Sequence, residues 1–99
     1  MRHTDPNACK PTDSLCLHAS ATYLIRKSRF AEAIPVLDRA LEAKSDVPAI
    51  YKSKAYAYLK LERYEEAVRD TNEALKLNGA DLQAGNYREE ALDREWGWF

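Results

Sequence analysis

Glycine and proline are scarce in this 99-residue chain, three and four residues respectively, which excludes a sandwich built on many tight turns. A surplus of one charge is also lacking: fifteen Lys and Arg face sixteen Asp and Glu, a formal net charge of −1. That balance removes the sequence-blind attraction behind most nucleic-acid binding, so no nucleic-acid partner is expected. No apolar run approaches the roughly 18 residues that a membrane span requires, and no membrane association is expected. Residues 1–7 lack the apolar core of a secretion signal. The expected location is therefore cytoplasmic or nuclear, with Cys9 and Cys16 reduced and a disulfide between them not anticipated.

Chemistry-bearing patterns are missing too. There is no nucleophile motif, no glycine-rich phosphate loop, and two histidines are too few for a triad. We expect no enzyme and no cofactor. His3, Cys9, Cys16 and His18 could each ligate zinc, but their intervals of five, six and one residues match no finger or knuckle spacing, so no metal site is expected.

What the chain does contain is a repeat. At an offset of 34, Ala21 falls on Ala55, Leu24 on Tyr58, Arg29 on Arg63 and Phe30 on Tyr64. Further on, Glu32 and Ala33 meet Glu66 and Ala67, and Ala40 and Leu41 meet Ala74 and Leu75. The register holds without a gap. Each unit reads as two helices. The first carries a stripe of Leu17, Ala21, Leu24 and Ser28, or Tyr51, Ala55, Tyr58 and Glu62. The second carries Phe30, Ala33, Ile34, Leu37 and Ala40, or Tyr64, Ala67, Val68, Thr71 and Ala74. Alanines at these places allow two helix backbones to approach closely.

Punctuation fits the division. Thr12 or Asp13 can cap the first helix and Ser45 or Asp46 the third, Pro48 suits a first turn, and Asp81 can open a fifth helix. Gly79 is expected to end the fourth in a left-handed conformation. Pro35 falls about one turn into the second helix and should bend it without ending it. From Asp81 onward a third unit begins and stops; Tyr87 and Ala91 match Tyr51 and Ala55 at an offset of 36, which implies two extra residues in the preceding turn. This polar last helix reads as a cap for the stack.

These residues resemble the tetratricopeptide repeat family, whose 34-residue helix–turn–helix carries the pattern W-x2-L-G-x2-Y … A-x3-F … P. The first unit offers Leu17-x2-Ser20-Ala21-x2-Leu24 … Ala33-x3-Leu37, and the second offers Tyr51-x2-Lys54-Ala55-x2-Tyr58 … Ala67-x3-Thr71. The resemblance implies an all-α fold of five helices: two tetratricopeptide helix–turn–helix hairpins plus a capping helix, a segment of a right-handed α-solenoid. The expected layout is a flexible tail over 1–12 and two repeats within 13–79 (about 14–47 and 48–81). A capping helix with an aromatic tail follows over 80–99. The related pentatricopeptide repeats are excluded by the 34-residue step and the acidic balance, and a plain bundle would not explain the register.

The resemblance further implies a concave groove lined by first helices that receives a peptide or a partner's helix. Carried onto this sequence, the groove positions are Leu15, His18, Thr22, Ile25 and Arg26, then Ala49, Lys52, Tyr56, Leu59 and Lys60. The basic groups around Tyr56 favour an acidic peptide or a terminal carboxylate. Chaperone-binding members of the family grip the carboxylate of Hsp70 or Hsp90 with Lys and Asn, then Asn, then Lys and Arg. The matching positions hold His18, Thr22, Ser53, Gly85 and Glu89, or Gln83 and Tyr87 in place of the last two if the offset stays at 34. None is a clamp residue. The expected function is an adaptor or scaffold for protein–protein interaction. The alternatives are an atypical co-chaperone without the clamp and a structural or self-associating subunit. The latter would use Trp96, Trp98 and Phe99 as a partner anchor. Those aromatics could equally close the end of the core or fold into the groove.

Overall fold

The computed structural model describes residues 8–96, with side chains through residue 94. The described residues form five helices and no strand: α1 (Ser14–Arg26), α2 (Phe30–Ala43), α3 (Pro48–Lys60), α4 (Tyr64–Leu77) and α5 (Leu82–Trp96). α1 packs on α2, α3 on α4 and α5 on α4, with α2 against α3 joining the two hairpins. The result is an elongated stack of 45 × 26 × 17 Å. None of these helices is long and apolar enough to cross a membrane.

Local signals explain most helix ends. The Asp13 carboxylate accepts the Cys16 amide at 3.0 Å and starts α1. Asp81 does the same for α5 through the amides of Gln83 and Ala84. α3 differs from expectation: Val47 holds the cap position with no side-chain bond, and Pro48 opens the helix. Asp46 is instead paired with Lys44 at 3.1 Å. α2 runs through Pro35 to Ala43 without ending.

Both hairpins bend by the same device. Ser28 and Glu62, 34 residues apart, each have φ of 61°. The amide of Arg29 reaches the Leu24 carbonyl and that of Arg63 the Tyr58 carbonyl, each at 2.9 Å, which satisfies carbonyls left over at the helix ends. Ser28 and Glu62 were expected to extend the helical stripes; they terminate them instead. Gly79 does not take up the left-handed conformation expected of it. α4 ends on Asn78, whose amide bonds to the Ala74 carbonyl at 2.9 Å.

The six alanines of the repeat, Ala21, Ala33, Ala40, Ala55, Ala67 and Ala74, are all fully buried. They form seams between helices, and Leu17, Leu37 and Ile50 fill the spaces beside them. α5 corrects the expected offset of 36. It begins 34 residues after α3, and the buried pairs Ile50 and Ala84, and Ala57 and Ala91, are also 34 apart. No extra residues sit in the turn. Matching Tyr87 and Ala91 to Tyr51 and Ala55 aligned two different faces. α5 buries the side turned back on α3 and α4, and the equivalents of Ala55 and Tyr58, namely Glu89 and Leu92, are exposed and half-buried.

The cysteines also depart from expectation. Cys9 is buried against Leu17 and Ala21 in the core of the first hairpin, and a disulfide joins it to Cys16. A turn in which the Asp13 amide bonds to the Lys10 carbonyl brings the chain back over the start of α1. Within the stretch read from the sequence as a flexible tail, Cys9 is thus packed into the core, whereas residues 8 and 10–12 are exposed. The rest of that expected tail lies outside the described residues, as do Trp98 and Phe99 and the side chain of Trp96.

Candidate functional site

α1, α3 and α5 contribute one face each to a hollow of about 370 Å³. His18, Thr22 and Ile25 point into it from α1 at helical spacings of four and three. Ala49, Lys52, Ser53 and Tyr56 enter from α3, and Gln83 and Tyr87 from α5. The expected groove residues His18, Thr22, Ile25, Ala49, Lys52 and Tyr56 are thus brought together. Leu59 and Lys60 line a second hollow of about 240 Å³ beside it, with Tyr64, Glu62, Glu90 and Arg94. Tyr56 and Tyr87 border both, their ring centroids 5.8 Å apart, and form a ridge between them. Phe30 extends the ridge with an edge-on contact to Tyr56 at 6.2 Å. Arg26 and Leu15 line neither hollow; Leu15 is 81% exposed at the start of α1.

Sequence reasoning placed Ser53, Gln83 and Tyr87 only as clamp equivalents, not as groove residues. The signal for them was the 34-residue register, since Gln83 follows Ala49 and Tyr87 follows Ser53 by one period. In that register all five clamp-equivalent positions, His18, Thr22, Ser53, Gln83 and Tyr87, line the larger hollow, and none offers an ammonium or guanidinium.

Electrostatics within the hollow are nearly closed on themselves. Lys52 Nζ lies 2.9 Å from Asp81 Oδ2. Lys52, together with the Ala84 amide, holds the Asp81 carboxyl below the usual carboxylate range. Lys52 is therefore not the free cation expected from the sequence. His18 Nε2 shares a hydrogen bond with Ser53 Oγ at 2.9 Å, and burial pushes the imidazole below its ordinary pKa. The Thr22 hydroxyl donates to the His18 carbonyl at 2.9 Å. Burial raises the Tyr87 phenol. Lys60 lies 5.4 Å over the Tyr56 ring.

A second polar cluster sits where α2, α3 and α4 meet. Lys54 Nζ is 2.7 Å from Asp38 and 3.7 Å from Asp70, with Lys54 and Asp70 only 13% and 9% exposed. Burial pushes the Asp70 carboxyl up to about 6, against the pull of Lys54. Burial opposes the Lys54 charge, but the bond to Asp38 and the charge of Asp70 outweigh it and keep that pKa above the usual lysine value. Among the described residues no group of three His, Cys, Asp or Glu is placed to hold a metal. The hollow presents aromatic faces from Tyr56 and Tyr87, neutral hydrogen-bonding groups, and one ammonium already held by Asp81.

Residues 48–81 match the family model described as Tetratricopeptide repeat. The chain is 32% identical over 94 residues to sperm-associated antigen 1 of Rattus norvegicus, covering 90% of this chain and 10% of that protein. It is 33% identical over 78 residues to the mitochondrial import receptor subunit TOM34 of Homo sapiens, covering 79% of this chain and 25% of that one. A DnaJ homolog subfamily C member 7 homolog from Schizosaccharomyces pombe is 40% identical over 70 residues, or 71% of this chain and 14% of the relative. The chain thus spans between a tenth and a quarter of the length of these curated relatives.

Proposed function

Because the chain belongs to the tetratricopeptide repeat family, we propose that it is a protein-binding adaptor module that docks a partner's peptide or short helix between α1, α3 and α5. The observation that carries this reading is the hollow of about 370 Å³ to which three successive first helices each contribute side chains. That volume is within the range of ligand-holding clefts and has room for a few peptide side chains. Ile25 and Ala49 supply apolar contact, Tyr56 and Tyr87 supply flat faces with polar tips, and Ser53 and Gln83 supply hydrogen bonds. An import receptor subunit is among the relatives, and a receptor-like binding role is what this reading carries over.

The test is retention of a pool of N-acetylated, C-terminally amidated decapeptides on the immobilised chain, compared with an Ala49→Trp variant. Ala49 is exposed near the start of α3 and borders the hollow, so an indole there fills the space without entering the core. Peptides retained by the parent are expected to be lost from the variant, with unchanged helicity by circular dichroism. Equal retention of the same peptides by both proteins defeats the reading.

A further inference from the structure

We infer that the chain's own Asp81 closes the hollow to peptide carboxylates, and that the ligand docked there is an uncharged, internal stretch of peptide. This rests on the docking reading above. Lys52 is the one ammonium or guanidinium among the described residues that line the larger hollow, and Asp81 already holds it at 2.9 Å. The Asp81 side chain is fixed from its other oxygen as well, since Oδ1 caps α5 by accepting the Gln83 and Ala84 amides at 3.1 and 3.2 Å. An aspartate in that position stands where a ligand's carboxylate would sit. It is held by helix geometry, so displacing it would cost both an ion pair and a helix cap.

The remaining lining groups are neutral. His18 is bonded to Ser53, and burial disfavours its charged form. Thr22 spends its proton on a backbone carbonyl, Gln83 offers an uncharged amide, burial raises the Tyr87 phenol, and Tyr56 presents its ring. The second hollow adds no surplus of positive charge, because Arg94 pairs with Glu90 at 3.4 Å and Lys60 shares its wall with Glu62. A carboxylate entering the larger hollow would shed water and find its one ammonium already paired with Asp81. An amide sheds less and finds partners.

The experiment uses the decapeptide pool in two forms, C-terminal acid and C-terminal amide, on the parent chain and on two variants. The parent should retain the amide pool at least as well as the acid pool. Asp81→Asn keeps a capping oxygen but releases Lys52, and should shift the acid-to-amide retention ratio about tenfold toward acid. Lys52→Gln leaves Asp81 unopposed and should lower acid retention further; if Asp81→Asn melts early, the parent's own acid-to-amide preference decides the matter. A parent that prefers the acid pool overturns the inference, as does an Asp81→Asn ratio equal to the parent's, while the docking reading stands in either case. Retention of both pools that ignores Ala49→Trp removes the docking reading itself and the inference with it.

Discussion

The two hairpins share one backbone and have different interiors. Their bends superpose residue for residue in sequence, with a left-handed Ser28 or Glu62, then an arginine that pairs with the glutamate three residues on. Inside, the first hairpin buries Leu17, Leu24, Val36 and Leu37. The second has Tyr51, Tyr58, Asp70 and Thr71 at the same four places. The buried polar replacements Asp70 and Thr71 are tolerated because each finds a partner. Thr71 donates to the Val68 carbonyl at 2.8 Å, and Asp70 faces Lys54. Among the described residues no buried side-chain nitrogen or oxygen lacks a hydrogen bond. The repeat thus constrains the backbone path and the alanine seams, and leaves the filling between the seams free to be apolar or polar once every polar group is satisfied.

The contrast can be broken most directly at Leu37 and Thr71. Leu37→Ala should lower stability by about 3 kcal/mol, because it removes a fully buried side chain from a packed cluster. Thr71→Ala, one period later, should cost only about 1 kcal/mol. Urea denaturation of the two variants measures both, and equal losses would mean that the second interior is as tightly packed as the first.

Next in size is the pH dependence that Asp70 brings to the second hairpin. Its pKa rises from an ordinary 3.8 to about 6 on folding, so the folded chain holds that proton more tightly than the unfolded one. The resulting stability is full below the unfolded value and is lost as pH rises through about 6. Lowering the pH from about 7.5 to about 5 should therefore add about 1.4 kcal/mol from this group. Asp70→Asn should flatten the change, and a chain whose urea midpoint falls over that interval regardless of the substitution would assign the titration elsewhere.

The smallest effect tests what the hairpins share. Ser28→Gly and Glu62→Gly should each raise stability by about 0.5 kcal/mol, read as a slightly higher melting temperature, since glycine adopts a positive φ without a Cβ penalty. Similar gains at the two sites are expected from their identical φ. A loss at one site alone would show that its side chain contributes something that the other's does not.

Much of this architecture was readable from residues. Helix existence and the six buried alanines follow from periodicities within each helix, the 34-residue step from the repeat, and six of the hollow's lining residues from the groove face that the family resemblance implies. Leu15 and Arg26 share that stripe and still miss the hollow, because a stripe's breadth on one helix does not say how far the neighbouring helix reaches across it. The expected offset of 36 failed for a related reason. Tyr87 and Ala91 looked like Tyr51 and Ala55, but a helix at the end of the described stack buries only the side facing back, so similar letters occupied different faces.

The order of apolar and small residues along the chain determined where helices begin, how they pair and which seams they close, since these depend on neighbours three, four or thirty-four positions away. Only the tertiary structure decided that Lys52 meets Asp81 across 29 residues, that His18 meets Ser53 across 35, and that Cys9 is buried and joined to Cys16. Those contacts turn on distances of about three ångströms between separate elements, to which a one-dimensional pattern carries no scale. They also fix the character of the hollow, because whether a lysine is a ligand's partner or the chain's own depends on which carboxylate reaches it first.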